Sequence, residues 1–392
     1  MGLPGHALPS MTRRRLVLVG GGHAHLEVLR AASRSAFSAE VVLVSPSPLQ
    51  LYSGRMPAHL RGRISAAALS IELDPLCRAA GVRFVEASVS CVEAGARGGV
   101  VMTTAGEFAA DVISLDVGAS VAGLDTPGVA EHVFSTRPAE LWSALVARVD
   151  ALVVERGRQA VSCCVVGAGV GGIEIAFALH SRITEAKLVA EVALVDAAPG
   201  LLASWDDGAS ERVLRLLNER GIAVHANASV ARVAADVVEL EDGRRLRADV
   251  TVWTTGAAPH EWLRQSPLAL DEDGWLRVDA TLRAVDGRAV LGAGDCIALE
   301  GAPWLPRSGV YAVRAAPVLA HNLRVAVEGA GQLDEFRPSH RSLALVDTAD
   351  GRAIAHWGRF TAGGRWAWWL KHVIDGRYVR GYHRLYARIG TT

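Results

Sequence analysis

The chain has 392 residues, half of them apolar, and its 41 basic residues balance its 41 acidic residues. A chain of this length exceeds what one hydrophobic core usually organises, so we expect more than one domain. The zero net charge gives no indication of nucleic-acid binding, and no apolar run is long enough to suggest a membrane-spanning helix. The five cysteines lack CxxC or CxxxxC spacing, which is typical of reduced thiols in a cytosolic protein.

The N-terminal part of the chain predicts a βαβ unit. A strand at Arg15–Val19, a helix at His25–Ala32 and a strand at Glu40–Ser47 follow one another. We expect the residues before Arg15, which include a second methionine at Met11, to form a disordered lead rather than an export signal.

A glycine turn joins this first strand to its helix. Gly20 and Gly22 occupy the first two positions of a GxGxxG motif, but His25 occupies the third, and Ser45 stands where an acid usually ends the next strand. A bulky third residue should push the helix away from the strand. His23 has two open interpretations, contact with cofactor phosphates or simple packing. A metal site at His23 and His25 is not predicted, because no further ligand lies nearby in the sequence.

A second strand, glycine turn and helix follow at Ala160–Leu179. Gly167, Gly169 and Gly172 complete the GxGxxG motif, and Asp196 ends the next strand, 24 residues beyond Gly172. A carboxylate at Asp196 would bind both ribose hydroxyls and would repel a 2′-phosphate by up to about 4 kcal/mol. This second turn therefore predicts NADH binding in preference to NADPH.

The chain then returns to the first predicted domain. Asp286–Leu299 predicts a strand that ends in Gly294 and Asp295, and Tyr311–Val327 predicts a helix. A carboxylate and helix amides at this place suit a flavin's ribityl chain. We therefore expect an α/β fold of two Rossmann-like domains, one inserted in the other: an FAD domain at residues 14–130 and 265–330, an NAD(P)H domain at 131–264 and a C-terminal segment at 331–392.

These motifs, in this order, resemble the flavoproteins with two dinucleotide-binding domains, the pyridine nucleotide-disulfide oxidoreductase superfamily. The type II NADH dehydrogenases and sulfide:quinone reductases are the nearest branches. The stretches GGGHAHLEVLR, SPSPLQLYSGRMPAHL and WWLKHVIDGRY resemble, more narrowly, the FAD-dependent oxidoreductases found beside or fused to selenophosphate synthetase. The resemblance covers roughly residues 14–380.

The resemblance implies roles for individual residues. It implies an FAD site whose members are Gly20, Gly22, His23, Ser45, Tyr52, Gly294, Asp295 and Val310. Gly118 and Gly256 would end the strands that cross between the domains. Glu174 would lie where nicotinamide meets flavin, either tuning the reaction and handling a proton, or paired only for structure. The CxxxxC redox pair of the disulfide reductases is missing, which argues against disulfide reduction.

The implied reaction takes hydride from NADH to FAD and passes electrons to a quinone-like acceptor. Two alternatives stay open: sulfide chemistry at Cys296, and a flavin-binding regulator tied to selenium metabolism.

The tail predicts a basic amphipathic helix. From Arg365 to Arg388 six basic residues accompany one acid, Asp375. One helical face carries Trp366, Trp369, Leu370, Val373 and Ile374. Such a helix suits peripheral contact with the inner face of a membrane by a cytoplasmic protein, or else docking on the flavin domain or in a homodimer.

Overall fold

The computed structural model describes residues 13–387 except 156, 158, 203 and 204. The predicted lead with Met11, and the last basic residue of the tail, Arg388, lie outside the described residues. The chain divides into two compact units. The first contains the described residues up to Pro48, Leu73–Gly118 and Pro259–Pro338, and the second contains Leu49–Glu72, Ala119–Ala258 and Ser339 onward.

The strands of the described chain are β1 (Arg15–Val19), β2 (Glu40–Ser45), β3 (Leu49–Leu51), β4 (Ser70–Glu72), β5 (Arg83–Glu86), β6 (Val89–Gly95), β7 (Gly98–Thr103), β8 (Gly106–Ala110), β9 (Val112–Leu115), β10 (Ser120–Val121), β11 (Val133–Ser135), β12 (Ala160–Val166), β13 (Val189–Val195), β14 (Ala223–His225), β15 (Val230–Val233), β16 (Val237–Leu240), β17 (Arg245–Arg247), β18 (Val250–Trp253), β19 (Ala257–Ala258), β20 (Leu276–Val278), β21 (Val290–Gly292), β22 (Ile297–Leu299), β23 (Leu343–Asp347), β24 (Ala353–Trp357) and β25 (Phe360–Gly364).

The helices are α1 (His23–Ala32), α2 (Met56–Leu60), α3 (Ala66–Leu69), α4 (Leu73–Ala80), α5 (Val129–His132), α6 (Ala139–Val154), α7 (Val170–Glu185), α8 (Asp207–Glu219), α9 (Glu261–Gln265), α10 (Gly309–Glu328) and α11 (Arg365–Ala387). Short 3-10 turns lie at Ser53–Arg55 and Gly294–Cys296.

The first unit is built on a five-stranded parallel sheet of order β21-β9-β1-β2-β5. The apolar run in β1 is buried on both faces, as a central parallel strand requires. Helices α1 and α10 pack against each other in this unit. The antiparallel sheet β6-β7-β8 belongs to it as well.

The second unit repeats the plan with a five-stranded parallel sheet of order β11-β18-β12-β13-β14. Its core holds Trp142 of α6 and Phe177 of α7, both fully buried. The antiparallel sheet β23-β24-β25 carries α11, whose Ala367 packs against Ala353 and Ala355. The two Rossmann-like units confirm the predicted fold class.

The unit boundaries differ from the predicted domain limits by several residues at each crossing, and two longer segments change unit. The chain leaves the first unit after Gly118 and returns at Pro259, close to the two glycines expected at the crossings. Residues 49–72, however, group with the second unit, and residues 339 onward join it instead of forming a separate segment. The hydroxyl of Tyr52 donates to Oδ1 of Asp375 at 3.1 Å, a bond that ties these two pieces together.

Candidate functional site

The second glycine turn lies at the carboxyl edge of its sheet, between β12 and α7. Gly167 has a φ of +108°, and a Cβ there would lie 2.4 Å from the carbonyl oxygen of Thr254. A Cβ at Gly172 would lie 1.9 Å from the carbonyl oxygen of Gly167. Gly169 caps α7 with nothing within 4 Å of its Cβ position. This open space at a helix N-terminus fits a dinucleotide pyrophosphate.

Asp196 follows β13 at the same edge of the sheet. Its Oδ2 accepts the N–H of Ala168 at 2.5 Å, and its Oδ1 accepts the N–H of Ala198 at 2.8 Å. The carboxylate is thus fixed beside the glycine turn, where it would bind the ribose of the nucleotide held there.

The first glycine turn lies between β1 and α1, and neighbouring residues pack closely against its glycines. Asp116, which directly follows β9, contacts it from the neighbouring strand. A Cβ at Gly20 would lie 2.4 Å from the Asp116 carbonyl oxygen, and a Cβ at Gly22 would lie 2.3 Å from its Oδ1. A Cβ at Gly21 would lie 2.5 Å from the Leu73 side chain. All three glycines are therefore required by the protein's own packing.

His25 does not push α1 away from β1, contrary to the prediction. The ring is fully buried, with Nδ1 2.6 Å from the carbonyl oxygen of Gly20 and Nε2 2.8 Å from Oγ of Ser114. The carbonyl only accepts, so Nδ1 donates and Nε2 accepts from the hydroxyl. Burial lowers the pKa of His25 to about 4, so the imidazole is neutral. No ring nitrogen is left for a metal.

Two helix N-termini of the first unit approach each other. A Cβ at Gly309, the first residue of α10, would lie 3.7 Å from the His23 ring at the first turn of α1. Val310 follows on α10, and the 3-10 turn with Gly294 and Asp295 lines a pocket with residues of the same helix. The positive ends of two helices fit the diphosphate of a flavin dinucleotide. Which atoms contact the cofactor stays a prediction.

Ser45 ends β2 and is buried. Its hydroxyl donates to the carbonyl oxygen of Ser47 at 3.0 Å. The side chain is therefore used inside the chain, and its contact with the ribose stays a prediction.

A buried charged cluster lies inside the second unit, formed by Glu174 on α7, Lys371 and Asp375 on α11, and Tyr52. Lys371 Nζ is 3.3 Å from Oε1 of Glu174 and 3.4 Å from Oδ2 of Asp375. Glu174 is 5% exposed, and its Oε1 also accepts the N–H of Asp347 at 2.7 Å. Tyr52 completes the cluster through its bond to Asp375.

This cluster holds one ammonium group and two carboxyl groups. Burial raises the pKa of Glu174 to about 7 and also raises that of Asp375. Burial alone would lower the pKa of Lys371, but the two acids raise it. Burial therefore favours the protonated form of the two carboxyl groups, while the neighbouring acids favour the charged form of Lys371. Such a cluster can store and release a proton.

The N-terminal half of α11 exposes apolar side chains. Trp366, Trp369 and Ile374 are 53%, 63% and 43% exposed, whereas Lys371 and Asp375 face inward. The adjacent sheet exposes apolar side chains as well: Leu343, Trp357 and Phe360 pair across three strands and are 42%, 51% and 75% exposed. Trp357 projects from the sheet face that carries α11, since it alternates with Ala353 and Ala355.

All five cysteines are free, and four of them are buried. Burial raises the pKa of Cys296 and of Cys164 to about 12, so both stay as thiols rather than nucleophilic thiolates.

Three members of these sites, Asp116, Lys371 and Asp375, were not predicted from the sequence. The signal for Asp116 was its place at the end of a strand adjoining β1. The signal for the other two was their i, i+4 spacing on the helix face opposite the tryptophans.

A family model described as pyridine nucleotide-disulphide oxidoreductase matches residues 14–322. The chain belongs to this family. Membership confirms the predicted class of enzyme, an oxidoreductase with FAD and NADH as cofactors.

The sequence is also similar to individual proteins with NADH dehydrogenase names. An NADH dehydrogenase-like protein of Mycobacterium tuberculosis is 29% identical over 293 residues, which are 72% of this chain and 73% of that protein. An internal alternative NAD(P)H-ubiquinone oxidoreductase of Arabidopsis thaliana is 24% identical over 245 residues, 57% of this chain and 48% of that protein.

Two solved structures share the fold. NDH2 from Plasmodium falciparum in complex with NADH has a TM-score of 0.80 at 12% identity and covers 96% of this chain and 98% of its own. The sulfide:quinone oxidoreductase of Aquifex aeolicus has a TM-score of 0.78 at 18% identity and covers 95% and 92%.

Proposed function

We propose that the protein oxidises NADH held at the second glycine turn and delivers the electrons, through FAD held at the first, to a lipid-soluble quinone. The observation that carries this proposal is the pair of glycine turns, one in each unit, each between a central parallel strand and a helix. FAD, when bound, accepts hydride from NADH and gives up two electrons to the acceptor.

The proposed roles of the chain's residues follow from their surroundings. At the second turn, Gly169 admits the pyrophosphate of NADH and Asp196 binds its ribose. Gly22, His23, Asp295 and Val310 hold FAD in the first unit. These contacts would hold each dinucleotide in a fixed position within its own unit.

Quinone reduction consumes protons as well as electrons, and the buried cluster supplies a group for this task. Burial raises the pKa of Glu174 to about 7, so this carboxyl group can take up or release a proton near neutral pH. It does so beside the charged ammonium group of Lys371. We assign Glu174 as the residue that handles the proton. Tyr52 and Asp375 position Lys371 from the other side.

The central test is anaerobic stopped-flow reduction of the flavin by NADH and by NADPH, followed by reoxidation with a soluble quinone analogue. We expect fast bleaching by NADH and fast return of colour with quinone. Glu174→Gln should leave the NADH step within about twofold and slow reoxidation by on the order of 10²-fold. A flavoprotein that NADH does not bleach would contradict the proposal and would favour the flavin-binding regulator instead.

Two predicted alternatives receive no support from these geometries. Sulfide oxidation through Cys296 would need a thiolate, whereas its thiol is buried and protonated. The link to selenium metabolism stays a prediction of the sequence resemblance alone.

The apolar face of α11 and β23-β25 supports the second part of the proposal, contact with a membrane surface. Trp366, Trp369 and Phe360 are exposed on this face beside the exposed Arg359 and Arg365. Aromatic residues flanked by basic side chains suit the interface of an anionic bilayer, where a quinone is available. None of the helices in the described part of the chain has the length and apolar run needed to cross a bilayer.

Vesicle flotation tests this contact. The protein should float with vesicles rich in phosphatidylglycerol, and Phe360→Ser with Trp369→Ser should weaken binding on the order of tenfold. Val154→Ser is the matched control, because Val154 is 76% exposed on α6, an element that is not part of this face. Unchanged flotation of the double variant together with a lost dimer would assign the face to a homodimer instead.

A further inference from the structure

Asp116 is a buried carboxylic acid in the first glycine turn. It is 2% exposed and follows β9 at the edge of the sheet where α1 begins. Its Oδ2 accepts the N–H of His25 at 2.8 Å, and the N–H of Ala24 also bonds to it. Helix α1 has Gly22 at its N-cap and no side-chain cap of its own. Asp116 therefore caps α1 from a neighbouring strand.

The same carboxyl group separates two glycine segments of the first unit. Its Oδ1 would lie 2.3 Å from a Cβ at Gly22 and 2.5 Å from a Cβ at Gly294. Both glycines are thus small because Asp116 occupies the adjoining space. Gly22 begins α1, and Gly294 begins the turn that carries Asp295. Asp116 consequently sets the spacing between the two segments proposed to hold FAD.

The groups that face Asp116 do not neutralise it. From α1 comes His25, which is neutral, and from the 3-10 turn come the Asp295 carboxylate and the Cys296 thiol. Burial raises the pKa of Asp116 to about 7, and the charge of Asp295 contributes in the same direction. The acid therefore titrates in the physiological range, at the end of a helix where anions bind.

We propose that Asp116 is the positioning residue of the first turn and makes FAD retention pH-dependent, the uncharged acid holding the cofactor more tightly than the carboxylate. This inference rests on the proposed placement of FAD at the first turn. The FAD diphosphate and an ionised Asp116 would compete for the same positive helix end and repel each other. Protonation removes the repulsion and keeps one carboxyl oxygen as acceptor for the α1 amides.

The test is the dissociation constant of FAD for the stripped full-length protein, followed by flavin fluorescence between about pH 6 and about pH 8.5. We expect the wild-type constant to rise about tenfold over this range, as a difference of one pKa unit between free and bound protein requires. Asp116→Asn keeps the size and the acceptor oxygen, so its constant should stay at the low-pH value throughout.

Two further variants exclude other sources of the effect. Glu107→Gln removes an exposed carboxylate from β8 and should keep the wild-type profile. His23→Gln tests the second titratable group at the start of α1, and it too should keep the pH dependence.

The outcomes separate the two proposals. A wild-type constant independent of pH, or a dependence that Asp116→Asn retains and His23→Gln removes, would overturn the role of Asp116 and leave FAD binding intact. Failure of the wild-type protein to bind FAD at any pH would instead contradict the proposed function.

Discussion

The two glycine turns of the protein have nearly the same backbone and opposite surroundings. Gly22 and Gly169 each cap a helix, with φ and ψ of −69° and 176° in the first turn and −71° and 176° in the second. The Cβ position of Gly22 is filled by Asp116, whereas nothing lies near that of Gly169. The second glycine of the motif is thus required by the protein's packing in the first turn. In the second turn the space beside the same glycine is free for a ligand.

The residue that follows the adjacent strand causes the difference. Asp116 follows β9 and Thr254 follows β18, and the carbonyl oxygen of each lies 2.4 Å from the Cβ position of the turn's first glycine. The Thr254 hydroxyl donates to the carbonyl oxygen of Val166, on its own sheet. The longer carboxyl of Asp116 instead reaches the helix amides. One side chain therefore decides whether the Cβ position of the second motif glycine is filled or open.

The largest expected effect comes from placing alanine at the two equivalent glycines. Gly22→Ala should lower the free energy of unfolding by on the order of 3 kcal/mol, because its Cβ would overlap the Asp116 carboxyl group. Gly169→Ala, its matched control, should change stability by less than about 0.5 kcal/mol. Urea unfolding measures both, and equal losses would contradict the comparison.

Buried His25 makes the stability of the first turn depend on pH. Its pKa is about 4 in the folded protein and ordinary when unfolded, so the unfolded chain takes up a proton first as the pH falls. The stability contributed by neutral His25 is present above about pH 6.5 and is lost below it. Between about pH 6.5 and about pH 4.5 the wild-type protein should lose roughly 2 kcal/mol more than His25→Gln. Parallel unfolding curves of the two proteins would disprove this role.

The open second turn predicts a loss of binding without a loss of stability. Gly169→Ala should weaken NADH binding about tenfold, because the methyl group occupies the space proposed for the pyrophosphate. Gly171→Ala is the control, since its Cβ position is equally open but lies outside the three motif positions. Calorimetric titration with NADH measures both variants, and the interpretation fails if their affinities are the same.

The smallest effect concerns the choice of nicotinamide cofactor. Asp196→Ser removes a carboxylate fixed at the ribose end of the second turn. The preference for NADH over NADPH should fall by about 1 kcal/mol, the size of one partly solvated charge pair. The ratio of the two kcat/KM values measures it. A ratio that does not change would remove Asp196 from cofactor selection.

Much of the fold was predictable because its signals are local. Apolar runs followed by glycines predicted strands β1 and β12. The later Gly294 and Asp295 predicted that the chain returns to the first unit. Strand β9 ends at Leu115, and the side chain of the next residue, Asp116, accepts a hydrogen bond from the His25 amide of α1. Residue type alone does not reveal such a contact between distant segments.

The tail shows the same limit. Helical periodicity identified the apolar stripe with Trp366 and Trp369 but left open which way it faces. In the structure, Trp366 and Trp369 face outward. Lys371 is buried, although the sequence predicted it to be part of a basic helix surface. Glu174 stabilises the buried charge of Lys371, but it lies almost two hundred positions earlier in the chain. Sequence spacing therefore could not predict this pair.

Neither compact unit is a continuous piece of chain, since the first closes only with residues near Pro338 and the second only with α11. During synthesis, no fragment released early has all the strands and helices of its own core. Both cores are therefore completed late, and a nascent chain exposes apolar surface until its last helix emerges. Cutting the protein at any single point would damage at least one unit, so its two halves cannot be produced separately by truncation.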